Sequence, residues 1–88
     1  MSSNIYNLYE IFNDFNRLRI LIAIYDRECT IEDISNRINL NSISIIHQLE
    51  FLIERKVVSK LEVDNTIKYK ISNRKFNKIV NQIVNYTK

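Results

Sequence analysis

No glycine, proline or tryptophan occurs in these 88 residues, and cysteine, methionine and histidine occur once each. Without glycine the chain cannot form a glycine-rich phosphate loop. Its turns and helix ends must then put side-chain-bearing residues into left-handed backbone. Asparagine, with twelve copies, is the natural substitute, because its short polar side chain tolerates that conformation. A single cysteine excludes an internal disulfide and argues for a reducing compartment, with Cys29 read as a buried free thiol. The longest wholly apolar run, Ile20–Tyr25, is far too short to span a bilayer. The first residues lack a signal peptide's basic and apolar regions, so a cytoplasmic protein without membrane attachment is expected. One histidine, one cysteine far from it in sequence, and no paired-carboxylate motif argue against an enzyme.

The length suits one domain over 1–88, with no repeat or linker. A chain this short buries only roughly 60–65% of its unfolded surface, which favours dimerisation as extra stabilisation. The net charge of +3 conceals a division. Residues 1–54 carry four Lys/Arg against eight acids, whereas residues 55–88 carry nine against two. This asymmetry suits either a basic face for phosphate or a solvated basic tail.

Ile5, Leu8, Tyr9 and Phe12 follow helical spacing and predict a first helix over about 4–13. Asp14 or Asn16 can cap a second helix with Leu18, Leu21, Ile22 and Tyr25 on its inner face. In "TIEDISNRI", Thr30 and Asp33 form a capping-box pair before the stripe Ile31, Ile34 and Ile38. Asn39 can end that helix in left-handed backbone, and Asn41 can cap the next over about 42–55. Two short helices joined by a tight turn are the pattern of a helix-turn-helix.

In "VVSKLEVDNTIKYKIS" the apolar period changes to two, which predicts a hairpin. A three-residue loop, Asp64-Asn65-Thr66, pairs Val63 with Ile67 and Leu61 with Tyr69, gathering the apolar side chains on one face. That register is the expectation. It puts Lys60, Lys68 and Lys70 on one strand face, with Glu62 beside Lys68. Phe76, Ile79, Val80, Ile83 and Val84 then mark a terminal helix, bordered by asparagines at 73, 77, 81 and 85. Its stripe is expected to pack on the first helix and on a second subunit.

The order helix–helix–helix–helix–hairpin–helix, with "FNRLRILIAIYDRE" and "SISIIHQLEFLIERKVV", resembles the ArsR/SmtB group of bacterial regulators. Arg17–Leu21 matches the family's "RLRIL", His47, Leu49 and Leu52 match its "H-x-L-x-x-L", and Val57–Val58 match the pair leading into the wing. The resemblance covers roughly 14–72. It implies a mainly helical winged helix-turn-helix with a β-hairpin wing, dimerising through its terminal helices. The interface positions are then Ile5, Leu8, Tyr9, Phe12, Phe76, Ile79, Val80, Ile83 and Val84. Two departures stand out. Lys56 occupies the position where the family has glycine. The family's metal sites cannot be built either: Thr30 and Glu32 stand at its third-helix cysteine positions, and the last helix has no His, Cys, Asp or Glu. No metal or other cofactor is expected.

The fourth helix has apolar residues on two sides. Ile45, Leu49, Leu52 and Ile53 form a stripe to bury, yet Ile43 lies about 160° and His47 about 200° from Ile45. A DNA-reading helix gives that second side a use. Ile43 and Ile46 suit thymine methyl groups, Gln48 suits adenine, Ser42 and Ser44 suit bases or phosphate, and His47 suits either. Asn41, Ser42 and Ile43 offer the free N–H groups of a helix start to a phosphate. Core packing of Ile43 and Ile46, and an ordinary surface position for His47, are the competing assignments. Lys60, Lys68 and Lys70 would grip the backbone from the wing.

The expected partner is double-stranded DNA, at A·T-rich or repeated sites, bound by a homodimer acting as a metal-independent repressor. A second possibility resembles the TubR group, centromere-binding adaptors of plasmid and phage partition that recruit a filament-forming protein. A third is a winged helix that binds protein through Ile43 and Ile46.

Overall fold

The computed structural model describes residues 8–86. Helix α1 covers 8–12, followed by α2 (Phe15–Ala23), α3 (Ile31–Ile38) and α4 (Ser42–Glu54). Strands β1 (Val58–Val63) and β2 (Thr66–Ile71) form the hairpin, and α5 (Arg74–Tyr86) ends the described chain. This is the expected winged helix-turn-helix. Among the described residues no helix is long and apolar enough to cross a membrane.

The starts of α2, α3, α4 and α5 each follow from a short polar side chain. Asp14, in extended backbone, accepts from the Arg17 N–H at 3.0 Å. Thr30 and Asp33 form the full reciprocal capping box, with both bonds at 3.0 Å. Asn41 accepts from the Ser44 N–H at 2.8 Å, and Asn73 accepts from the N–H groups of Lys75 and Phe76.

The helix ends explain how a chain without glycine turns. Asn39 is left-handed (φ 56°) and donates its N–H to Ser35 O at 2.8 Å. Lys56 takes φ 63° after α4, its N–H reaching Ile53 O while the Val57 N–H reaches Leu52 O, both at 2.9 Å. That pair of bonds is a Schellman ending, and the two residues at its outer bond, Val57 and Leu52, are both fully buried in the core. Lysine therefore adopts the left-handed backbone that glycine most readily supplies.

The core draws on every helix and on the hairpin, with Ile11, Ile20, Ile34, Leu49, Val57 and Val80 among its fully enclosed members. One face expectation is corrected in α2. Ile20, Leu21 and Ile24 are fully buried, while Ile22 stands 38% exposed and Leu18 and Tyr25 are half-buried. This helix lies against α3, α4 and α5, so its buried arc is wider than a single stripe and centred two residues away from Ile22.

The hairpin register is also corrected. Val63 pairs with Thr66, Leu61 with Lys68 and Lys60 with Tyr69 across a two-residue turn. Asp64 (φ 52°) and Asn65 (φ 65°) are both left-handed, the pattern whose twist suits a tight hairpin. The three-residue loop would have needed Thr66 in left-handed backbone, unfavourable for a β-branched side chain. Directly paired residues share a face, so Val58, Lys60, Glu62, Ile67, Tyr69 and Ile71 lie on one side. Buried Val58 and Tyr69 identify it as the core side. Leu61 and Val63 lie on the outer side with Lys68 and Lys70. Lys60 is thus separated from the other two wing lysines. Cys29 adds a bridge to the far edge of β2, exchanging backbone bonds with Tyr69 at 2.9 and 2.7 Å.

Candidate nucleic-acid interface

Helix α4 is anchored by Ile45, Leu49 and Leu52, all enclosed, and its opposite side remains open. Asn41, Ser42, Ile43 and His47 are exposed, and Ser44 and Ile46 are half-buried. Ile43 is 70% exposed, so it does not pack on the preceding helix. The exposed start of α4 therefore presents an apolar side chain among a hydroxyl, an imidazole and a capping amide. The amide oxygen of Asn41 is committed to the Ser44 N–H.

Gln48 departs from expectation. Its Oε1 accepts from Arg17 Nη1 at 2.8 Å, and its Nε2 donates to Asp14 Oδ2 at 3.2 Å. Both ends of the amide are occupied within the chain, so Gln48 ties α4 to the start of α2 rather than presenting a free edge to adenine. The Arg17 backbone N–H, and after it the Gln48 amide, hold the Asp14 carboxyl below its usual range against the opposing effect of burial.

Arg17 is the residue that sequence reasoning undervalued. Besides Gln48, it donates Nε to Ile11 O at 2.9 Å and Nη2 to Glu10 O at 2.7 Å. Its guanidinium lies 4.1 Å from the centre of the Phe51 ring, and that of Arg55 lies 4.3 Å from the same ring. Arg55 in turn pairs with Glu10 at 2.9 Å and depresses the Glu10 carboxyl. These contacts join α1, α2 and α4. The available signal was Arg17 in "RLRIL", three residues after a capping aspartate. Its partner Gln48 lies 31 positions on, beyond any local pattern.

On the wing, Lys68 and Lys70 are half-buried on the outer face beside Leu61. Lys60 instead borders a shallow hollow with His47, Glu50, Phe51, Ile53 and Glu54. That acidic neighbourhood supplies counter-charges and weakens the case for Lys60 as a phosphate contact.

Of the positions assigned to a dimer interface, Ile5 lies outside the described residues. Leu8 and Tyr9 are exposed, while Phe12, Phe76, Ile79, Ile83 and Val84 are half-buried. The Phe12 and Phe76 rings stand 6.0 Å apart, so α1 meets α5 within one chain. Val80 is fully enclosed and belongs to the core, because the α5 stripe is wide enough for its middle to face inward. It is unavailable to a second subunit.

Among the described residues no three His, Cys, Asp or Glu side chains gather as metal ligands. Cys29 is buried, and desolvation pushes its thiol above the ordinary range, which favours the unreactive protonated form.

No protein-family model matches the chain. No curated protein matches it either. Solved structures do. HlyU from Vibrio cholerae superposes with a TM-score of 0.85 at 21% identity, covering 93% of this chain and 89% of that one. The transcriptional regulator HlyU from Vibrio vulnificus gives 0.89 at 15% identity, with coverages of 97% and 88%. The transcriptional repressor BigR from Xylella fastidiosa gives 0.86 at 19%, with coverages of 97% and 87%. The shared fold is a winged helix, matched over nearly the whole chain. These likenesses lend nothing to a partition role.

Proposed function

We propose that this protein is a dimeric, metal-independent DNA-binding repressor that reads duplex DNA with the N-terminal half of α4. The observation carrying the proposal is the outward side of that helix, where Ile43 stays 70% exposed although the inward side is fully anchored. An apolar side chain held in water by a rigid helix is explained when a thymine methyl covers it, and the 12 Å major groove admits such a helix. Ser42 and His47 supply hydrogen bonds beside it, and the N–H groups at the helix start face a phosphate. Ile43 favours A·T-rich sites. Lys68 and Lys70 take the phosphate backbone. Leu8, Tyr9, Ile79 and Ile83 offer the apolar surface for a second copy. The repressor named among the similar structures supports the assignment of activity.

The test is binding to genomic duplex fragments by fluorescence anisotropy over a range of salt. Affinity should fall with a log–log slope of about 0.9 for each phosphate contacted. Ile43→Ser should reduce specific binding while leaving random-sequence binding unchanged. Undetectable binding to every duplex at low salt would overturn the proposal and leave Ile43 to a protein partner.

A further inference from the structure

A cleft of about 330 Å³ opens between α2 and α3, lined by Arg19, Ile22, Ala23, Arg27, Arg37 and Ile38. Half of the lining is cationic, half is apolar, and none of it is acidic. Three of the chain's six arginines meet there. We propose that this cleft binds a small amphipathic oxyanion, a carboxylate or phosphate on an apolar body, and that binding acts on α4 through Arg19. The second half of this proposal rests on the DNA-reading function given above.

The arginines differ in how they are used. Arg17 spends every guanidinium nitrogen within the chain, and Arg55 is held by Glu10. Arg27 and Arg37 are exposed and make no hydrogen bond or ion pair with a described residue. Asp33, one turn before Arg37, is already committed to the Thr30 N–H at 3.0 Å. Arg27 also borders a second hollow with Asp26, Glu28 and Lys70, so its far side has counter-charge while the cleft side has none. The cleft lining holds three cations and no acid, and an oxyanion seated there would lower their mutual repulsion. The planar guanidinium fork matches carboxylate or phosphate in bidentate fashion.

The floor selects the rest of the ligand. Ile22 lies on the outer side of α2 and keeps 38% of its surface exposed at the cleft. Phe15 and Arg19 precede it at helical spacing, and the Arg19 guanidinium lies 5.8 Å from the centre of the exposed Phe15 ring. A charged head among the arginines would lay its apolar body on Ile22, Ala23 and Ile38. The volume lies in the range of small-molecule sites.

Arg19 connects the cleft to the turn. Its Nη2 donates to the carbonyl of Ile38, the last residue of α3, and its Nη1 to Asn16 Oδ1. Left-handed Asn39 follows at once, and Asn41 caps α4 two residues later. An anion competing for the Arg19 fork releases the Ile38 carbonyl and loosens the turn that sets the pose of α4.

The test titrates the ¹⁵N-labelled full chain with phenyl phosphate and benzoate, using inorganic phosphate and phenol as single-feature controls. Saturable shifts are expected at the amides of Ile22, Ala23 and Asn39, with at least about tenfold tighter binding than inorganic phosphate because the ring is buried as well. The preferred head group is the one giving the tighter curve. The double variant Arg27→Gln/Arg37→Gln removes two solvent-facing, unbonded side chains and should weaken binding about tenfold or more while the fold persists. Absence of saturable shifts, or shifts that survive in the double variant, would overturn the site. So would a double variant with reduced duplex affinity and salt slope but no phenyl phosphate response in the parent, which would give these arginines to the DNA backbone. Saturating ligand should lower duplex affinity, and an unchanged affinity would overturn the link to α4. A chain that binds the anion but no duplex would remove the DNA-reading function and leave the cleft standing.

Discussion

Helices α3 and α4 are neighbours in the helix-turn-helix, and each begins with a side chain that accepts from the N–H three residues on. Toward solvent they differ. Helix α3 shows water Glu32, Asp33, Asn36 and Arg37, the ordinary exterior of a small protein's helix. Helix α4 shows Ser42, Ile43, His47 and Glu50. Inward, both are alike, with enclosed Ile34 in one and Ile45, Leu49 and Leu52 in the other. Stability therefore explains the inward side of both helices but leaves the exposed Ile43 of α4 unexplained. What remains over in α4 is the candidate for function.

The comparison can be broken from the inside. Ile34→Ala and Leu49→Ala should each cost about 3 kcal/mol in urea unfolding, because each leaves a cavity beneath an enclosed site. A loss for Leu49→Ala well below that for Ile34→Ala would mean that α4 is not anchored as described. On the outside the helices should separate. Ile43→Ser should change stability by no more than about 0.5 kcal/mol yet weaken specific duplex binding roughly tenfold, whereas Asn36→Ser on α3 should alter neither.

How far the chain announced its structure depends on the distance over which each feature is decided. The caps at Thr30 and Asn41 and the left-handed Asn39 involve partners within four residues and were readable, while the α2 cap was narrowed to Asp14 or Asn16 and proves to be Asp14. The buried stripe of α4 was readable because one period governs it. The hairpin was half readable. Each strand's alternation was visible, but the pairing depended on whether Thr66 entered the turn, and that choice moved Lys60 away from Lys68 and Lys70. Gln48 could not have been placed, since Arg17 and Asp14 claim it from 31 and 34 positions away. Val80 and Ile22 failed for another reason: a wide apolar arc does not announce where its centre lies.

Smaller effects sharpen the picture. Thr30→Ala should cost about 1 kcal/mol of stability and leave DNA binding intact. Lys56→Gly should stabilise by about 0.5–1 kcal/mol, because glycine takes the φ 63° backbone without strain; a loss instead would show that the lysine side chain matters more than its backbone. The smallest effect is on acid sensitivity. The N–H groups of Arg17 and Thr30 hold the carboxyls of Asp14 and Asp33 below their ordinary values. Their folded pKa values lie under the unfolded ones, so their contribution is complete above about pH 4 and lost as pH falls through the folded values. Thermal melts of Asp33→Asn should show a shallower decline on acidification than the parent.

The junction at Phe51 has a mechanical consequence. Two guanidinium groups stack on one ring of α4, and each also grips Glu10, one at its carbonyl and the other at its carboxylate. Helix α1 is thereby joined to α4. If two copies pair through α1 and read DNA with α4, as proposed, the span between their α4 helices would become a fixed gauge, and a base pair added between half-sites would be felt as misfit across the pair.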